Sequence, residues 1–198
     1  MAHIVKRFGN SWAIIGDLNV IHEESEKQEG RYVDECSRVP DAADNSKEVD
    51  HWDMKLVVDA SILDDSAGLG VVQMDEHGDQ AITIMQASSV SGVLEAELLP
   101  IRVALHLALE ENCSFVKILS YSAQAVQALA VGEISFAWGS YSIFSDCLSL
   151  KSLFECCSVV FIPRSSNSLA NSVARYARIN RINSKCVLRE IAPFVAIS

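Results

Sequence analysis

Two acidic side chains stand where apolar runs meet polar ones. Asp59 ends Lys55-Leu56-Val57-Val58-Asp59, and Glu97 opens the helix-like stretch Ala96-Glu97-Leu98-Leu99. Two neutral polar residues hold comparable places. Tyr121 lies just past Val116-Lys117-Ile118-Leu119, and Asn171 closes Pro163-Arg164-Ser165-Ser166-Asn167-Ser168-Leu169-Ala170-Asn171. Gathered carboxylates hold hard divalent cations such as magnesium. A fold that clusters these four positions would suit two divalent metals if all four were acids, and Tyr and Asn at two of them would cripple it. A phenol with a pKa of about 10 is neutral at pH 7, and an amide offers only a weak ligating oxygen.

No rival constellation has a chemical reason behind it. There is no Ser–His–Asp or Cys–His spacing and no glycine loop shaped for phosphate; Gly68-x-Gly70 reads as a strand start. The six cysteines (Cys36, Cys113, Cys147, Cys156, Cys157 and Cys186) form no C-x-x-C pair, and no His is spaced to complete a zinc site. The opening Met1-Ala2-His3-Ile4-Val5-Lys6-Arg7 has no apolar stretch behind its charges, so no secretory signal is expected. The cysteines are therefore expected to be reduced thiols, mostly buried. No apolar run reaches the roughly 18 residues of a membrane span. The expected compartment is the nucleus or the cytoplasm.

The 198 residues carry a net charge of −10, unevenly spread. Residues 1–54 hold 12 acids and 6 bases, and residues 55–198 hold 14 acids and 10 bases. Residues 164–189 hold six bases (Arg164, Arg175, Arg178, Arg181, Lys185, Arg189) and no acid. Phosphate contacts dominate non-specific nucleic-acid affinity, so an acidic chain is a poor general binder and this basic stretch is its local exception.

The elements that would position the four residues follow from periodicity. Residues 22–54 are too polar to form a core and read as a flexible linker. Trp12-Ala13-Ile14-Ile15-Gly16 ahead of them would make one strand. From residue 55 strands are expected at Lys55–Ser61, Gly68–Met74 and Gln80–Ala87, with a hairpin turn at Asp75-Glu76-His77-Gly78. Leu94, Leu98, Ile101, Leu105 and Leu109 form a helical stripe, with Pro100 either in its first turn or kinking it. A fourth strand is expected at Phe115–Leu119, then a helix capped by Ser122, a helix over Tyr141–Cys156 and a fifth strand at Ser158–Ile162. Asn167 or Ser168 would cap the last helix. The order βββαβααβα predicts an α/β fold: a five-stranded mixed sheet with helices on both faces.

This order, with Val57-Val58-Asp59-Ala60, Ala67-Gly68-Leu69-Gly70-Val71-Val72, Ala96-Glu97-Leu98, Ser120-Tyr121-Ser122 and Ile162-Pro163-Arg164 with Asn167, Leu169 and Ala170, resembles the ribonuclease H superfold. The pattern is most similar to the plant reverse-transcriptase-like ribonuclease H domains derived from non-LTR retroelements, over about residues 55–178. The resemblance implies a site where four carboxylates hold two magnesium or manganese ions about 4 Å apart and hydrolyse the RNA of an RNA–DNA hybrid. Asp59 and Glu97 match the first two acids and would be the metal ligands. Tyr121 and Asn171 fall where the pattern has the other two, so two-metal catalysis is expected to be lost. Glu95, or Asp64 and Asp65, would rescue the site only through rearrangement. Arg164, Asn167, Arg175 and Arg178 are the expected nucleic-acid contacts.

A second resemblance lies near the start. Ser11-Trp12-Ala13-Ile14-Ile15-Gly16-Asp17-Leu18-Asn19, followed by Glu26-Lys27-Gln28-Glu29-Gly30, resembles the Gly-Asp-Phe-Asn motif of retroelement endonucleases of the exonuclease–endonuclease–phosphatase family. That family needs a far larger sandwich, so Asp17 and Asn19 are expected to be idle. The expected organisation is an endonuclease-like fragment over 1–30, an acidic linker over 31–54, a ribonuclease H-like domain over 55–180 and a tail over 181–198. The expected role is binding of an RNA–DNA hybrid or other nucleic acid without cleavage. The alternatives are an active hybrid ribonuclease with an altered metal site, and a protein-interaction module with no nucleic-acid role.

Overall fold

The computed structural model describes residues 5–8, 11–14, 51–74, 81–134 and 138–195. The chain divides into two units, residues 1–32 and 33–198. In the first, β1 (Val5–Phe8) and β2 (Ser11–Ile14) pair antiparallel, with Val5 opposite Ile14. Asp17, Asn19 and residues 22–50 of the expected linker lie outside the described residues.

The second unit is built on a six-stranded sheet in the order β7-β6-β3-β4-β5-β8. Strands β3 (Met54–Leu63), β4 (Ser66–Gln73) and β5 (Ile82–Ser89) form the antiparallel meander that alternating apolar residues predict. Strands β6 (Phe115–Ser120) and β7 (Cys156–Phe161) join β3 in parallel. Helices α1 (Val93–Glu110), α2 (Ala123–Val131) and α3 (Tyr141–Lys151) cover one face. There Leu56, Val58, Leu69 and Val71 meet Leu98, Ile101, Leu105, Val116 and Ile118 in the larger core. Ser122 caps α2 as its type predicts, accepting from the Ala125 N–H at 3.3 Å. Pro100 lies inside α1, buried, beyond its first turn.

Helix α4 (Ser168–Asn180) covers the other face. A Cβ on Gly70 would stand 2.5 Å from the Ala170 carbonyl oxygen and 2.8 Å from the Ala174 nitrogen. Only the missing side chains of Gly68 and Gly70 let α4 lie backbone-to-backbone on β4.

Four expectations differ from the structure. Residues 183–195 are not a loose tail: β8 (Asn183–Val187) adds a sixth strand beside β5, and α5 (Leu188–Val195) follows it. As an edge strand, β8 exposes Asn183, Ser184 and Lys185, so its sequence carries no apolar alternation. The end of the expected linker is already folded, since the Asp53 N–H donates to the Phe115 carbonyl at 2.9 Å and its carboxylate accepts from the Ser114 and Phe115 N–H groups. Asn167 stands at the start of α4 without making a side-chain cap bond. Finally, Cys113, Cys147, Cys157 and Cys186 are free, but Cys156 is disulfide-bonded. Strand alternation turns it away from its buried neighbour Cys157. No helix among the described residues is long and apolar enough to cross a membrane.

Candidate functional site

The sheet brings distant residues to one level. Val58 on β3 pairs with Ser120 on β6, and Ser120 with Phe161 on β7. The next residues of β3 and β6 are Asp59 and Tyr121. Beyond β7 the chain reaches Arg164 three residues after Phe161. The Ser120 carbonyl accepts the Ile162 N–H at 2.9 Å, and its hydroxyl accepts the Ser122 N–H at 3.1 Å, which fixes the two turns. Gly70 pairs with Asp59, so the close approach of α4 at Gly70 brings that helix alongside the acid.

Asp59 is 6% exposed. Its burial pushes the carboxyl up to about 7, against the Ala60 N–H, the Arg164 charge and the Asn167 amide, which all favour the carboxylate. Glu97, half-buried in the second turn of α1, is pushed up to about 8 by desolvation first and by the Asp59 charge second, with Arg164 again opposing. The Asp59 charge therefore acts on Glu97. Arg164 lies over the Tyr121 ring, its guanidinium carbon 5.5 Å from the ring centre.

Asn167 is 1% exposed. Its Nδ2 donates to the Val58 carbonyl at 3.3 Å, while Oδ1 has no hydrogen-bond partner. A buried side chain anchored in this way fixes the start of α4 against β3. Asn171 lies one turn further on, half-buried, its N–H donating to the Asn167 carbonyl at 3.1 Å. Arg175 is exposed, whereas Arg178 is half-buried with Nε donating to Ser61 Oγ at 3.1 Å.

The three rescue acids are placed otherwise. Glu95 accepts from the Ser91 N–H at 2.8 Å and from its hydroxyl, closing the start of α1. Asp64 and Asp65 form the β3–β4 turn, five and six residues beyond Asp59, or roughly 16–20 Å along an extended strand. The part of the arrangement that sequence spacing missed is Arg164 over the Tyr121 ring. It needs the parallel placement of β7 next to β6, which Ile162-Pro163-Arg164 does not reveal.

Two magnesium ions would bring four positive charges. Asp59 and Glu97 supply at most two negative ones, beside an arginine that is already there. No group of three or more His, Cys, Asp and Glu residues able to hold a metal occurs among the described residues. The donor set does not fit a two-metal centre.

The fold and this sequence pattern define a ribonuclease H-like domain. Residues 58–177, more than half of the chain, match the reverse transcriptase-like family, and the chain belongs to that family. No curated protein matches. Among solved structures the chain is similar to ribonuclease H1 of the halophilic archaeon Halobacterium salinarum, at 15% identity and a TM-score of 0.59, covering 65% of this chain and 98% of that one. It is also similar to LC11-RNase H1, solved in complex with an RNA/DNA hybrid, at 19% identity and a TM-score of 0.58, with 65% and 98% covered. The N-terminal ribonuclease H domain of a Mycobacterium tuberculosis protein gives 19% identity and a TM-score of 0.56, with 63% and 98% covered.

Proposed function

We propose that this protein is a nucleic-acid-binding ribonuclease H-like domain that has lost the cleavage of RNA–DNA hybrids. On this reading it descends from a plant non-LTR retroelement, and its first 30 residues are the remnant of that element's endonuclease. The observation that carries the proposal is the composition of the site: a buried Asp59 and a half-buried Glu97 supply two acids, and Tyr121, beneath the Arg164 guanidinium, stands just past Ser120, the β6 residue paired with Val58 beside Asp59, where a two-metal hydrolase needs further acids. The LC11 neighbour, solved with an RNA/DNA hybrid, supports the choice of ligand class. Arg164 and Arg175 are exposed and would meet the phosphates.

The test is cleavage of a labelled RNA–DNA hybrid in magnesium and then manganese, with the wild type beside the Tyr121→Asp/Asn171→Asp double variant. The expected result is an inactive wild type and measurable cleavage by the variant. Cleavage by the wild type would overturn the inactive reading. A folded but dead variant would overturn the assignment of Tyr121 and Asn171 to the missing ligand positions.

A further inference from the structure

We infer that the rings of Tyr176 on α4 and Phe194 on α5 form a stacking platform for an unpaired nucleic-acid strand that runs on from a bound hybrid. This inference deepens the nucleic-acid reading above and rests on it. Three observations carry it.

The first is the rings themselves. Their centres lie 6.4 Å apart, with the planes tilted by 30°. Tyr176 is half-buried and packs on the smaller core. On α5, Ile191 enters that core, whereas Phe194, one turn further along, is 56% exposed. The outer ring is therefore held in place by the inner one and left open to water. Such a surface accepts any base, because every base has a π-face.

The second is charge. Arg175 and Arg189 are exposed, one on each of the helices that carry the rings. Among the described residues neither is engaged in an ion pair, whereas Lys185 is held by Glu110 and Glu111. No acid occurs from residue 164 to 189, and the next one, Glu190, accepts from the Val187 N–H at 3.5 Å. Flat apolar rings between free guanidinium groups complement a polyanion that carries flat apolar bases. A purely apolar partner would leave those charges unmatched.

The third is continuity with the site. Helix α4 starts beside Asn167, which is bonded to the Val58 carbonyl next to Asp59. Tyr176 lies nine residues beyond Asn167, about 14 Å along the helix axis. That distance matches about four nucleotides at about 3.4 Å each along one strand. Leu169, two helical turns before Tyr176 and on the same side of α4, is 41% exposed and gives the path an apolar floor. A strand whose paired part lies at the site thus reaches the rings with its first unpaired bases.

The experiment is fluorescence anisotropy with the full chain in EDTA, using a blunt RNA–DNA hybrid, the same hybrid with a short thymidine overhang, and the unpaired oligonucleotide. Circular dichroism checks the folding of each variant. The overhang is expected to tighten wild-type binding by about tenfold. Phe194→Leu keeps an apolar contact with Tyr176 but has no flat face, so it should lose this gain and leave the blunt-hybrid affinity unchanged. Phe194→Trp should keep the gain. Equal wild-type affinity for blunt and extended hybrids would overturn the platform while leaving the hybrid reading in place, as would a gain that survives Phe194→Leu. Binding of the unpaired strand that depends on Phe194, with no binding of the blunt hybrid, would support the platform and overturn the hybrid reading. Self-association of the wild type that Phe194→Leu abolishes, without any overhang gain, would assign the rings to a second copy of the chain and overturn the proposal. If Phe194→Leu does not fold, photocrosslinking of the wild type to an iodouridine-substituted overhang carries the test. Adducts on Tyr176 or Phe194 support the platform, and adducts confined to other residues overturn it.

Discussion

Asp59 and Glu97 are held where a carboxylate is costly, and stability should record that cost. Both folded-state pKa values lie above those of the unfolded chain, at about 7 and about 8. Between pH 4 and pH 8 the folded protein therefore keeps protons that the unfolded chain has released, and stability falls as pH rises through this window. Urea unfolding at pH 5 and pH 8 should show the lower midpoint at pH 8. Asp59→Asn removes one of the two ionisations, so it should make the profile shallower, with Glu97 still titrating, and raise stability at pH 8 by about 2 kcal/mol. A flat wild-type profile would show that the acids are better solvated than their burial indicates.

Helix α4 and strand β4 set the geometry of the pocket through two absent side chains. Gly70→Ala would drive a Cβ into backbone at Ala170 and Ala174, neither of which can move alone. Overpacking of this kind costs about 1–3 kcal/mol, and the upper end is expected here because the obstacle is main chain rather than a flexible side chain. Thermal unfolding measures that loss. If the start of α4 is also displaced, Gly70→Ala introduced into the Tyr121→Asp/Asn171→Asp variant should abolish the cleavage restored there.

At the scale of the molecule, the C-terminal strand and helix complete the fold. Strand β8 covers the edge of β5, and Ile191 of α5 joins Val57, Val72, Met85, Val173 and Ala177 in the smaller core. A chain ending at residue 181 should be destabilised and should self-associate through the bared β5 edge, visible as higher-mass species in size-exclusion chromatography. A monomer of unchanged stability would show that β8 and α5 are dispensable. The net charge of −10 confines any phosphate binding to the local bases. With two to four arginines engaged, the affinity for a hybrid should fall with salt at a log–log slope of about −2 to −4, and Arg175→Ala should reduce the slope by about one. A slope near zero would favour a protein-interaction role.

The sequence by itself determined the strand meander, the amphipathic α1 and the Ser122 cap, because these depend on period and on local hydrogen bonding. It also pointed to Asp59 and Glu97, since a carboxylate at the end of a buried strand and another early in an apolar helix stand out against their neighbours. The tertiary structure decided what local pattern does not encode. Edge strand β8 is polar because half of it faces water, so it passed for a tail. Asn167 has the residue type of a helix cap, but the close approach of α4 to β4 turned its side chain inward to Val58. Arg164 reads as one base in a basic stretch, and only the parallel alignment of β3, β6 and β7 brings it to Tyr121. Those placements come from contacts between residues more than 40 positions apart, whose partners are chosen by the packing of the whole sheet.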